Sequence, residues 1–226
     1  MVLSARGPGD TVAERSLEEL CRQYWQPLYV FVRQRGRGVH DAQDLTQEFF
    51  ARLLEKDWLL SADRSKGRFR SFLLMAMQRF LANEWDRSRA RKRGGGETTL
   101  SIDWSAAEGR SIPDPAAATP EMVYERRWAL TLLETVMYRL RAEHETAGKS
   151  REYEHLKPCL TAERGAIDYE GLGSALGIGA ASARSSVHRL RKRFRELFRE
   201  EVAGTVADPA EVDDEVRAVI ASLGAP

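Results

Sequence analysis

Cysteine is scarce in this chain. Cys21 and Cys159 are its only two, they lie far apart, and neither belongs to a CxxC pairing. Neither a disulfide framework nor a zinc site is suggested, and both read as small core residues. Long apolar runs are also missing. No uninterrupted stretch approaches the roughly 20 residues that a bilayer span requires, and Met1 to Asp10 lacks the apolar core of a secretory signal. No membrane role is expected, and a cytoplasmic home follows. Strand signals, meaning alternating Val, Ile and Thr bounded by turn residues, are absent too, which leaves an all-α fold. No catalytic cluster stands out. Asp41, Asp44 and Glu48 have no clustered His or Cys partner, and His40 beside them reads as a surface residue. No metal, no cofactor and no enzymatic activity are expected.

What is present is length, apolar content and a concealed polarity of charge. At 226 residues and 42% hydrophobic content the chain can build two small cores. The net charge of +1 is an average over opposed segments. Basic side chains from Arg64 to Arg93 meet only Glu84 and Asp86, and the stretch Arg184 to Arg195 holds no acid at all. By contrast, Glu200, Glu201, Asp208, Glu211, Asp213, Asp214 and Glu215 make the following segment negative. Two separate basic surfaces suggest a polyanion touched at two places.

Helical periodicity predicts the elements. Leu17, Leu20, Cys21, Tyr24, Leu28 and Val32 share one stripe, with Pro27 expected to kink or divide that helix. Gly36 and Gly38 mark a turn. A second helix from about Asp41 to Lys56 carries Leu45, Phe49 and Leu53 inward, and its acidic start suits the helix dipole. A third runs from about Phe69 to beyond Trp85, with Phe69, Phe72, Leu73, Ala76, Phe80 and Leu81 as its apolar side. Gly94 to Pro120, rich in Gly, Pro and Ala, reads as a flexible connector and a domain boundary. Beyond it, Leu130, Leu133, Met137 and Leu140 define a helix, Glu152 to Leu160 a short one and Tyr169 to Leu176 another.

The most specific local signal begins at Tyr169. It reads as a helix, a glycine turn at Gly177 and a second helix, with Leu172 and Leu176 facing inward and Ile178 plugging the angle between them. Val187, Leu190, Phe194 and Leu197 form the second helix's apolar stripe. Ser182, Ser185, Arg189 and Lys192 lie opposite, with Arg184 and His188 toward one edge. Such a helix can enter a major groove, where arginine forks onto guanine and hydroxyls take either role. Arg191, Lys192, Arg193 and Arg195 are placed for phosphates. Gly171 and Gly173 weaken the first helix by up to about 1 kcal/mol each relative to Ala, so packing must hold it. In the first domain, Trp58, Phe69 and Trp85 are candidates to stack unpaired bases, against a competing role in the core.

Asp41-Ala-Gln-Asp-Leu-Thr-Gln-Glu-Phe-Phe-Ala-Arg-Leu resembles the second conserved region of bacterial sigma factors of the extracytoplasmic-function (ECF) group in the sigma-70 family. In that family it meets the clamp helices of the polymerase β′ subunit. Gly67-Arg-Phe-Arg-Ser-Phe-Leu through Arg93 is similar to the regions that open the promoter and capture the minus-10 element. Ser182 to Arg189 occupies the place of the helix that reads minus-35. The resemblance covers roughly Leu17 to Arg93 and Glu121 to Val202. It implies a sigma factor that directs core RNA polymerase to promoter DNA, contacting the β′ clamp helices and the β flap, with an anti-sigma factor as a further candidate partner.

The resemblance assigns Asp41, Asp44, Gln47 and Glu48 to the polymerase. Arg68, Arg70, Arg79, Asn83, Arg87, Arg89 and Arg91 go to minus-10, and Ser182, Arg184, Ser185, Ser186, His188, Arg189 and Lys192 to minus-35. Where the family's third helix usually has Asn and then Asp, this chain has Arg79 and Asn83, a departure that bears on strand capture. The implied organisation is a tail (1–16), a region 2-like domain (17–93), a linker (94–120), a region 4-like helix-turn-helix domain (121–202) and an acidic extension (203–226). That extension, with Val212, Val216, Val219 and Ile220 on an amphipathic pattern, either folds against a basic surface and limits DNA binding, docks a regulator, or solubilises the chain. The alternative function is a stand-alone helix-turn-helix regulator that dimerises on its own operator.

Overall fold

A computed structural model describes residues 11–55, 68–90, 118–163 and 165–224, with side chains omitted for 11–22, 54–55 and 86–90. The described residues are helical, without strands. In chain order they form α1 (Thr11–Gln34), α2 (Val39–Glu55), α3 (Phe69–Ala90), α4 (Pro120–Thr146), α5 (Ser150–Leu156), a 3-10 turn (Lys157–Leu160), α6 (Tyr169–Leu176), α7 (Ala180–Ala203), a second 3-10 turn (Pro209–Glu211) and α8 (Val212–Gly224). They fold as two compact units.

The first unit holds α1, α2, α3, the part of α4 up to Thr131, and the chain from Thr205 through α8. Its core is aromatic. Tyr24 meets Phe69 edge-on at 5.5 Å and stacks with Trp128 at 6.4 Å between ring centroids. Phe49 packs against Phe50 and Phe80, and Phe31 against Tyr124. Pro27 lies inside α1, which runs through it as one continuous helix instead of dividing. Thr46 is fully buried on α2 and donates its hydroxyl to the Ala42 carbonyl at 2.7 Å, so the polar side chain is satisfied within its own helix. Gly36, at φ +80°, closes the turn after α1.

The second unit runs from Leu132 to Gly204. Leu132, Val136 and Leu140 of α4, Tyr153 and Leu156 of α5, Cys159, and Val187, Leu190, Leu197 and Val202 of α7 are among its buried side chains. The inward stripe of α4 is therefore Leu132, Val136 and Leu140; of the four residues expected inside, Leu130, Leu133 and Met137 are only half-buried. On α7 Phe198 is buried and Phe194 half-buried. Cys159 is buried as expected, and burial pushes its thiol up from the ordinary range.

These units divide the chain at other places than the composition suggests. The start of α4 belongs with the N-terminal elements because Tyr124 and Trp128 are fully buried among their aromatics. The segment after Gly204 returns there because Glu215 meets arginines at the start of α3. The connector expected at 94–120 falls outside the described residues up to 117, and Pro120 opens α4, where its missing N–H costs nothing.

Candidate nucleic-acid interface

The α6–α7 pair is built by its caps. Asp168 accepts the N–H groups of Glu170 and Gly171 at 3.1 and 2.9 Å, which starts α6. Gly177, at φ +68°, ends it, and the Ile178 N–H returns to the Gly173 carbonyl at 2.9 Å. Gly179 then leads, extended, into α7. Gly173 is buried, and a Cβ there would lie 2.7 Å from the Ile178 carbonyl oxygen. Close passage of the turn thus demands the glycine that appeared only to weaken the helix. Leu172 and Leu176 are half-buried, and Ile178 is 39% exposed, so it lines an open cleft with Ser174, Ser182 and Arg189 instead of plugging the angle.

Along α7, Ser182, Arg184, Ser185, His188, Arg189 and Lys192 are exposed. The Arg184 guanidinium rests 4.9 Å from the centre of the Tyr169 ring, and Ser185 donates to the Ala181 carbonyl. Ser186 is only 5% exposed; its hydroxyl accepts from Arg189 at 2.9 Å and orients that guanidinium from beneath. Ser186 therefore sits under the exposed face, not on it. Two cations expected at phosphates have structural work instead. Arg191 donates to the carbonyls of Cys159 and Ala162, tying the loop before α6 to α7. Arg193 joins Glu143, Glu196 and Glu200, and Arg139 joins Glu200 and Glu201. The Arg193 bonds hold the Glu143 carboxyl below its ordinary range, and Arg139 does the same first for Glu200.

In the first unit, Asp41 and Asp44 are exposed on α2, and Gln47 and Glu48 are half-buried beside them. Glu48 pairs with Arg52 one turn on, and Arg52 also reaches Glu84 of α3 at 2.8 Å. On α3, Arg79 and Asn83 are exposed, as is Trp85, over which the Arg37 guanidinium lies at 5.1 Å. Phe69 serves the core through Tyr24. Trp58 and Arg91 lie outside the described residues, as do the side chains of Arg87 and Arg89.

Arg70 departs from its expected place. It is 3% exposed and pairs with Glu125 and with Glu215, which is fully buried, while its guanidinium lies 4.6 Å from the Trp128 ring. Arg68 reaches Glu215 at 2.6 Å. Burial raises the Glu125 carboxyl above its ordinary range, an effect that outweighs the attraction of Arg70. Glu125 and Glu215 were missed as structural residues. For Glu215 a signal existed, since it shares a stripe with Val212 and Val219, and an acid in an apolar stripe needs a buried partner.

Among the described residues no group of three or more His, Cys, Asp or Glu could hold a metal ion, and no helix is long and apolar enough to cross a membrane. No family model matches the chain, and no solved structure does. One curated relative is "ECF RNA polymerase sigma factor SigE" of Mycolicibacterium smegmatis (strain ATCC 700084 / mc(2)155), 27% identical over 191 residues. The match covers 84% of this chain and 64% of that protein's length. Distant as it is, this similarity supports kinship with the sigma factors.

Proposed function

We propose that the chain is a sigma factor of the extracytoplasmic-function group, a non-enzymatic subunit that brings core RNA polymerase to its promoters. The observation that carries the reading is the α6–α7 pair, glycine-turned and capped, with Ser182, Arg184, Ser185, His188 and Arg189 exposed along α7. The early turns of such a helix read base edges. Arg184 and Arg189 are the forks for guanine, and Lys192 takes a phosphate. Arg79 and Asn83, on the exposed face of α3, meet the minus-10 strand together with Arg87, Arg89 and Arg91. Asp41, Asp44, Gln47 and Glu48 present α2 to the polymerase clamp. Neither unit needs high affinity alone, because the polymerase raises the effective concentration of each at its element.

Helix-turn-helix geometry by itself would serve a stand-alone repressor equally well. The similarity to a sigma factor, running over most of the chain, favours the polymerase subunit. Co-purification with core polymerase, followed by transcription from a matched promoter, tests the reading. Specific initiation that depends on the chain is expected. An operator footprint formed without polymerase, with no gain in transcription, would replace a sigma factor by a regulator.

A further inference from the structure

Within the second unit, Arg184 and Arg189 stand apart from the other cations of α7. Lys192 meets Glu196 at 3.8 Å, and Arg193 meets three glutamates. Among the described residues neither Arg184 nor Arg189 pairs with a carboxylate, and both are exposed, yet both are held. The Arg184 guanidinium lies over the Tyr169 ring, 4.9 Å from its centre, and the Arg189 Nη2 donates to the Ser186 hydroxyl at 2.9 Å. Tyr169 is half-buried in the first turn of α6, where the Asp168 cap fixes the backbone, and Ser186 is 5% exposed. The supports belong to the packed body of the unit, and the arginines that they carry belong to its surface.

Each support leaves its arginine able to bond outward. Stacking engages the face of the Arg184 guanidinium and leaves the N–H donors at its rim free, while Ser186 takes one donor of Arg189 and leaves the rest. A guanidinium held this way loses less freedom when it forks onto a base. It is also hindered from swinging to a nearby phosphate or re-aiming at a substituted base, so holding it sharpens preference as well as affinity. Along α7 the two residues are separated by about 7.5 Å of helical rise and by about 140° around the axis. That rise is about twice the roughly 3.4 Å between successive base pairs, so the two forks fall on different pairs.

We propose that Tyr169 and Ser186 are positioning residues for base reading: each presets one arginine of α7, and through it sets the preference at one base pair of the minus-35 element. This rests on the sigma-factor reading above. The two supports differ in what they require. A cation over a ring needs the aromatic face and not the phenol oxygen, so phenylalanine can replace Tyr169. The Arg189 bond needs an oxygen acceptor at that position, which threonine keeps and alanine removes. Neither support is itself a cation, so its loss leaves the electrostatic part of binding as it was.

The full chain, bound to core polymerase, is titrated against promoter duplexes substituted one base pair at a time through the minus-35 element. Tyr169→Leu should lower the ratio of matched to substituted affinity by about threefold at one base pair, and Ser186→Ala by about threefold at a different one. Tyr169→Phe and Ser186→Thr should keep the ratios of the parent chain, and all four variants should keep its salt dependence. Unchanged ratios in Tyr169→Leu and Ser186→Ala, in a complex that still initiates transcription, would overturn the positioning and leave the sigma-factor reading standing. A loss spread evenly over the panel with an earlier thermal melt, or an equal loss in the conservative variants, would mark a structural role and overturn it too. A parent chain that engages neither polymerase nor the minus-35 element would overturn both.

Discussion

Arg70 and Arg79 stand nine residues apart on α3, which at 100° per residue places them on opposite sides of the helix. One is enclosed by Glu125, Glu215 and Trp128, and the other faces solvent. Their alanine variants should separate accordingly. Arg70→Ala leaves the fully buried Glu215 with Arg68 as its remaining partner and should cost about 3–5 kcal/mol. Arg79→Ala should change stability by less than about 0.5 kcal/mol. Urea titration of both variants checks this. On the proposed minus-35 role of α7, Arg184→Ala and Arg189→Ala should each relax sequence preference at that element, with a loss of about 1–3 kcal/mol on the matched site, read by competition between matched and substituted duplexes.

Arg193, like Arg191, is held by partners within the protein. Its exposed pairs with Glu143, Glu196 and Glu200 are screened by solvent, so each contributes little to stability. Because Arg193 depresses the Glu143 carboxyl, the folded protein binds this proton less readily than the unfolded chain. The stabilisation is present above the unfolded value of about 4.3 and is lost as pH falls through the lower folded value. Arg193→Ala should lower the melting temperature by a few degrees at pH 7 and flatten its acid dependence below about pH 4.5. The salt dependence of DNA binding should stay unchanged. Thermal melts across pH, paired with a salt titration of binding, check both halves.

At the scale of elements, the α6–α7 turn depends on backbone approach more than on side-chain packing. Alanine is the better helix former by up to about 1 kcal/mol, yet at Gly173 its methyl would press on the Ile178 carbonyl. Overpacking of about 1–3 kcal/mol should prevail, so Gly173→Ala should destabilise the second unit. Gly38→Ala, where a Cβ meets nothing within 4 Å, should be tolerated, and thermal melting distinguishes the two. Gly177 carries the left-handed turn, as a glycine between two helical patterns implies. The periodicity of α2 and α7 was also readable, since each has a polar and an apolar side. The phase of α4 was not. Apolar residues surround it, and only its neighbours select Leu132, Val136 and Leu140 over Leu130, Leu133 and Met137.

For the molecule as a whole, the proposed division of labour between the units has a direct test. Glu48→Lys removes a carboxylate from the exposed side of α2 and reverses its charge, while Arg52 keeps Glu84 as a partner. Binding to core polymerase should fall at least tenfold, and minus-35 duplex binding should be unchanged; pull-down on core enzyme and a duplex titration report the two separately.

Local pattern alone determined the all-helical class, the helix-turn-helix with its glycine turn, the exposed faces of α2 and α7, and the acidity of the C-terminal segment. Those features depend on residues within one or two turns of each other, where spacing and capping decide. Only the tertiary structure decided that Arg70, Arg191 and Arg193 have internal partners, that Ser186 lies beneath the face it seemed to join, and that α8 returns to the first unit. A charge has no direction in a sequence. Whether an arginine meets solvent, a carbonyl or a carboxylate far along the chain is settled by packing, because burying the charge is tolerable only where the fold supplies its partner.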